Sequence, residues 1–249
     1  MDIKVINLDK NKLLQLNNYS DIEKEKYLMQ SLYPGLGLKV IVKDYQLTEE
    51  INDKIDYLCL DESYRFVIVE KRFGKNTRTI KSGLLFIDYI KENISKIKIL
   101  ISDVLGSNIL KEICFDCRLV ILTQSFSSFD FSSIKYLPYN VEAINYIFLE
   151  KNIVFVKEYQ NKSKDYKNYR GYNNKYFIEL EDFLLSLGDE VQLFGYKNII
   201  TARKIRPFLY ILNNEDSITL YLNNNQYEIN NLKDLENVKG LIEKAYDER

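Results

Sequence analysis

The chain has 249 residues, 46% hydrophobic and 13% aromatic, enough for one large core or two modest ones and far from the composition of a disordered chain. Lys and Arg number 35 against 36 Asp and Glu, so no global field draws it to nucleic acid or membrane, and any such binding needs a local patch. There is no histidine, which removes Ser-His-Asp and Cys-His triads together with the commonest transition-metal ligand and leaves chemistry to carboxylates, Lys, Arg and Tyr.

The opening "MDIKVINLDKNK" has no long apolar core or small-residue cleavage site. No uncharged run approaches the roughly 18 residues that span a bilayer, so a cytoplasmic protein without a membrane partner is expected. Ser20 followed by Glu23 reads as a capping box and Pro34-Gly35 as a stop, which predicts a helix over Ile22 to Tyr33. Its inward stripe is expected at Ile22, Met29 and Leu32, and Glu25 falls on that stripe, where an acid is unusual.

Three strand-like runs follow, Leu38 to Lys43, Ile55 to Leu60 and Phe66 to Glu70, the last two joined by the turn-rich "DESYR". Thr79 to Asn93 and "SKIKILISDVLG" predict helices ending near Gly106. "CRLVILTQSF" reads as a buried strand, and after a helical stretch that predicts a parallel neighbour in a mixed sheet. "VEAINYIFLE" and "NIVFVKEY" read as a hairpin at the sheet edge. Cys59, Cys114 and Cys117 fit neither a disulfide framework nor a zinc site, and buried thiols are the expectation.

From Lys157 to Tyr176 the chain has no aliphatic residue and combines five tyrosines with six basic and two acidic residues. Residues 158–175 are therefore read as a linker, in which Lys162, Lys164, Lys167 and Arg170 interleave with aromatics as on single-strand binding surfaces. Beyond it, "YFIELEDFLLSLGDEV" predicts a helix with Gly188 as its cap, and Tyr196 to Thr201, Pro207 to Leu212 and Ser217 to Leu222 predict three short strands. "LKDLENVKGLIEKAYDER" predicts a closing amphipathic helix, so residues 176–249 form a small α+β domain. Arg203, Lys204 and Arg206 are its densest basic cluster, either a phosphate-contacting surface or a solvated turn. The asparagine runs near 213 and at 223–225 read as the bias of an AT-rich genome.

Chemistry concentrates in "FVIVEKR". Glu70 and Arg72 share one face of a strand while Lys71 points to the other, and a short hairpin brings Asp56 beside Glu70 at one sheet edge. Two hard carboxylates, with a carbonyl and waters, are what Mg²⁺ or Mn²⁺ requires.

The pattern "KIDYLCLDESYRFVIVEKR", with the helix and apolar strand after it, resembles the core of the PD-(D/E)xK nuclease superfamily, in particular an uncharacterised prokaryotic branch. Residues from "FLLSLGDEV" onward are similar to a C-terminal domain of unknown function found in that branch. The resemblance implies an α/β fold, a restriction-endonuclease-like mixed central sheet flanked by helices, over residues 1–157. It also implies Mg²⁺ or Mn²⁺ as cofactor and nucleic acid, DNA favoured, as partner. A homo-oligomer is compatible with the chain but not derivable from it.

Carried over, Asp56 matches the metal-binding Asp, Glu70 the acid of E-x-K, and Arg72 the position of the lysine. Glu25 or Glu23 matches the acid on the first helix, the stripe favouring Glu25, while Ser82 and Phe86 stand where relatives often have Gln and Tyr. Arginine stays charged and is no proton acceptor, although it stabilises charge on phosphoryl oxygens, and strand alternation sends Lys71 away from the pair. Two expectations follow: a metal-dependent phosphodiesterase with an atypical site at Asp56, Glu70, Arg72 and Glu25, or a nuclease fold without efficient cleavage that acts as a nucleic-acid-binding or regulatory, protein-interaction module. Lys71 and the basic residues of the linker and second domain are expected to contact nucleic acid.

Overall fold

The computed structural model describes residues 5–7, 12–14, 19–47, 53–72, 79–111, 113–149, 152–160, 174–196, 199–214 and 216–249. The chain divides into two compact units, Met1–Asn161 and Lys162–Arg249.

In the first unit, two short antiparallel strands, β1 (Val5–Asn7) and β2 (Lys12–Leu14), precede α1 (Asp21–Leu36). Ser20 and Glu23 form the capping box that starts this helix, and Pro34 falls inside it rather than ending it. Proline removes one N–H but sits in the last turn, and the stop is Gly37, whose φ of 66° is the left-handed cap that glycine adopts without a Cβ clash. The buried stripe is Leu28, Leu32 and Leu36, whereas Ile22 and Met29, expected inside, are 83% and 40% exposed. Counting back from Leu28 by three residues reaches Glu25, so the acid is on the inward stripe after all.

A six-stranded mixed sheet follows, in the order β3 (Lys39–Gln46), β4 (Lys54–Leu60), β5 (Arg65–Arg72), β6 (Cys114–Thr123), β7 (Asn140–Leu149) and β8 (Asn152–Gln160). The first three strands form an antiparallel meander, β6 and β7 run parallel to β5, and β8 returns antiparallel. The crossover from β5 to β6 carries α2 (Thr79–Glu92) and α3 (Ile94–Leu105), which cover one face through Phe86, Ile87, Ile90, Ile97 and Ile101. Gly83 sets the spacing of α2 over the sheet, because a Cβ there would stand 2.5 Å from Leu119 of β6. Helix α1 packs against both β3 and β8, the two edge strands, and so crosses the opposite face. The short helix α4 (Ser128–Lys135), which the sequence reading passed over, carries the capping box Ser127 and Asp130. Strand β8 makes residues 158–160 strand rather than linker.

In the second unit, α5 (Lys175–Ser186) leads into an antiparallel meander of β9 (Gln192–Tyr196), β10 (Ile199–Arg203), β11 (Pro207–Asn213), β12 (Ile218–Leu222) and β13 (Asn225–Ile229), closed by α6 (Leu232–Asp247). Helix α5 stops at Ser186 with Leu187 as its cap, not Gly188. Five strands stand where three were expected. Tyr196 and Ile199 pair across a hairpin, and Asn223 and Asn224, both at positive φ, make the two-residue turn into β13. Phe177, Leu180 and Leu184 of α5 and Leu235 and Ile242 of α6 close over Ile200, Leu209, Ile211 and Leu220. No helix among the described residues is long and apolar enough to cross a membrane.

Candidate functional site

The β4–β5 ladder runs from Leu60 opposite Phe66 to Tyr57 opposite Val69. One residue further, side chains replace the backbone rungs. The Asp56 N–H donates to Glu70 Oε1 at 3.3 Å, and the Lys71 N–H donates to Asp56 Oδ2 at 2.8 Å. The Glu70 carboxylate thus lies against the Asp56 peptide at the end of the hairpin. Burial pushes Glu70 up to about 9, and the neighbouring Asp56 charge adds to the effect. Burial also raises Asp56, outweighing the Lys71 contacts that favour its charged form. Both carboxyls are thus held towards the protonated form, chiefly by burial.

Lys71 does point away from Glu70 and Arg72, as alternation dictates, but α1 lies across that face. The Lys71 Nζ is 2.8 Å from Glu25 Oε1, 3.5 Å from Asp56 Oδ1 and 5.1 Å from the centroid of the Tyr57 ring. The Lys43 Nζ of β3 reaches the same Glu25 oxygen at 2.5 Å. Held first by Lys43 and then by Lys71, Glu25 stays below the usual carboxylate range. Glu23 is spent on the exposed capping box, where Ser20 lowers its carboxyl, so Glu25 is the acid of α1 that joins the site.

Arg72 is a correction. Its guanidinium faces α4, forms a bidentate pair with Asp130 at 3.1 Å for each contact, and donates to the Ser125 carbonyl at 2.7 Å and Thr123 Oγ1 at 3.3 Å. It also lies over the Phe126 ring. Burial opposes ionisation of Asp130, but Arg72 and Ser127 together hold its carboxyl below its ordinary value. Arg72, 7% exposed, ties α4 and the segment after β6 to the end of β5. Phe86 is fully buried in the core and brings no polar group.

Lys162, Lys164, Lys167 and Arg170 lie outside the described residues. In the second unit, Arg203 is 4% exposed and donates to the Ile205 carbonyl, which corrects its assignment to a phosphate-contacting surface. Lys204 donates to the Tyr246 carbonyl and sits 4.0 Å over that ring, at the negative end of α6, so this cation too serves the fold. Arg206 is half-buried. The thiols are free and buried, and burial pushes Cys114 up to about 11 and Cys117 up to about 12, far from a reactive thiolate.

Among the described residues, no group of three or more Asp, Glu or Cys side chains is arranged to hold a metal ion. Asp56 and Glu70 remain a two-carboxylate arrangement, and Mg²⁺ is commonly held by one or two carboxylates with waters and substrate phosphate completing its shell. Comparison with protein-family models, curated proteins and solved structures returns no match.

Proposed function

We propose that the chain is a metal-dependent phosphodiesterase acting on DNA, with Asp56 and Glu70 holding Mg²⁺ or Mn²⁺ and with Lys71, rather than Arg72, as the basic residue of the site. The observation that carries this reading is the position of the Lys71 ammonium, 3.5 Å from the Asp56 carboxylate whose peptide N–H binds Glu70. The succession of α1, an antiparallel meander, a helical crossover and a parallel strand supports a restriction-endonuclease-like core. The site also sits where β5 and β6 end side by side, and in open α/β sheets the carboxyl ends of strands are where ligands bind.

A bound divalent ion would polarise the phosphodiester and lower the pKa of a water. The protein's own contribution is positional. Lys71 presents three ammonium donors with which to orient that water and to stabilise charge on the phosphoryl oxygens. Asp56 holds the Lys71 backbone and Glu25 its ammonium, so the cation is aimed before substrate arrives. The two raised carboxyls supply the demand for a cation that a metal satisfies.

The test is a Mn²⁺ and Mg²⁺ cleavage assay on supercoiled, linear and single-stranded DNA and on RNA, with wild type, Lys71→Ala, Glu70→Ala and Arg72→Lys. Cleavage is expected in wild type and in Arg72→Lys and is lost in the other two. Absence of cleavage of every substrate by folded wild type at high concentration sinks the assignment. One observation favours a second reading, a nucleic-acid-binding fold without efficient cleavage: Glu70 is 5% exposed and one of its oxygens is already engaged by Asp56. That reading requires salt-sensitive binding that survives Glu70→Ala.

A further inference from the structure

The ammonium groups of Lys43 and Lys71 converge on one oxygen, Oε1 of Glu25, at 2.5 Å and 2.8 Å. The register explains why they meet. Lys43 of β3 stands directly opposite Tyr57 of β4, Tyr57 opposite Val69 of β5, and Lys71 follows two residues later on the same face. Two lysines on β3 and β5, either side of β4, sharing a single anionic oxygen is an arrangement that suits a phosphate oxygen as well as a carboxylate.

A second observation is independent of that pair. The Tyr57 hydroxyl is buried, has no hydrogen-bond partner, and belongs to a side chain with 0% exposure whose ring lies under Lys71. A buried hydroxyl left unpaired forfeits the water bonds it would keep in the unfolded chain. The Glu25 carboxylate is flat and has only two oxygens, whereas a tetrahedral phosphate has further oxygens to offer the hydroxyl of Tyr57, whose ring centroid is 5.1 Å from the Lys71 ammonium. The position is reachable from solvent, since the Lys43 side chain is 40% exposed and that of Glu25 27%.

The geometry points to a phosphate cradle formed by Lys43, Lys71 and Tyr57, which Glu25 plugs in the free protein and which a DNA backbone phosphate occupies by displacing that carboxylate. This rests on the nucleic-acid reading above and adds to it both a contact on β3 and a competitor built into α1. Glu25 then has two states. In the free protein it neutralises and aligns the two lysines, and in the complex it has swung out by side-chain rotation alone.

The experiment measures binding of a fluorescein-labelled 20-nucleotide DNA, single-stranded and duplex, in EDTA from 50 to 200 mM salt, so that the carboxylate pair plays no part. Glu25→Gln is expected to bind about tenfold tighter than wild type, the weight of one charge-assisted contact removed from competition. Lys43→Ala is expected to bind more weakly, with the slope of log affinity against log salt smaller by about one. A slope unchanged in Lys43→Ala, or Glu25→Gln no tighter than wild type, overturns the cradle while leaving DNA binding in place. Absence of binding by wild type and Glu25→Gln alike overturns both the cradle and the nucleic-acid reading. Should Glu25→Gln fail to fold, Lys43→Ala decides by its slope, because Lys43 is a solvent-facing residue of an edge strand.

Discussion

The two ends of the β4–β5 hairpin carry similar numbers of charged side chains and treat them in opposite ways. At the turn end, Arg118 is clamped between Glu142 at 2.6 Å and Asp61 at 3.3 Å. Asp61 also accepts the N–H groups of Ser63 and Arg65, and Arg65 is tied to Asp116. Arg118, Arg65 and Glu142 are each at most 2% exposed, and opposite charges face each other throughout. At the open end, Glu70 accepts the Asp56 peptide N–H, and the Lys71 ammonium is shared between Glu25 at 2.8 Å and Asp56 at 3.5 Å. Buried charge by itself therefore does not mark a site. An acid pushed up by burial and by a neighbouring acid, as Glu70 is, is instead a candidate for one.

This contrast makes stability effects fall in a definite order. The largest belongs to the closed end: Arg118→Ala leaves Glu142 and Asp61 buried without their cation, and urea denaturation is expected to show a loss of about 3–5 kcal/mol. A gentle loss there would mean that the two ends are not so different. Next comes a gain at the open end. Glu70 ordinarily titrates near 4.5 and is pushed up to about 9 in the fold, so between those values the folded chain keeps a proton that the unfolded chain has released. Its contribution to stability is complete below pH 4.5 and declines as pH rises towards 9. Glu70→Gln should remove that decline and stabilise the protein at pH 8 by about 2 kcal/mol, seen as a raised and less pH-dependent thermal midpoint. Mn²⁺ should raise the midpoint of wild type and leave that of Glu70→Gln unmoved.

Arg72→Lys comes third. It keeps the charge beside Asp130 but loses the planar fork, for an expected cost of about 1–2 kcal/mol in the same denaturation assay and no gain in cleavage. A gain in cleavage would return Arg72 to the site and undo the assignment of Lys71. The smallest change in stability is expected for Lys71→Ala, under about 1 kcal/mol because Lys43 still serves Glu25 and Asp56 keeps the backbone N–H of residue 71. In kinetics the same substitution should be among the most damaging, lowering cleavage by about 10²-fold or more.

Much of this architecture was legible from hydrophobic runs. The β3–β4–β5 meander, the helical crossover and the parallel β6 follow from apolar strands separated by turn residues and by a stretch of helical periodicity. The turn role of Asn223 and Asn224 was not legible in the asparagine run, because αL geometry is a property of two particular positions and composition does not show which. Helix α4 was missed although Ser127 and Asp130 spell a capping box, because its eight residues carry too short an apolar stripe.

At the site, alternation correctly separated Lys71 from Arg72, and Asp56 with Glu70 followed from the hairpin. What strand periodicity lacks is any information about what lies above each face. Glu25, 46 residues before Lys71, and Asp130, 58 residues after Arg72, set what each base contacts. Reading α1 from Leu28, Leu32 and Leu36 rather than from Ile22 would have placed Glu25 more securely.

The parallel pairing of β5 with β6 also has a consequence for the order of folding. The contacts that join Asp56 to Lys71 close a loop of 15 residues, whereas the Arg72 clamp on Asp130 closes one of 58. Loop-closure entropy alone makes the second about 1 kcal/mol more costly. The carboxylate pair thus assembles with a local hairpin, while α4 docks only once the crossover has returned. Substitutions at Arg72 and Asp130 should act mainly on the rate of unfolding, and changes within the β4–β5 hairpin on the rate of folding.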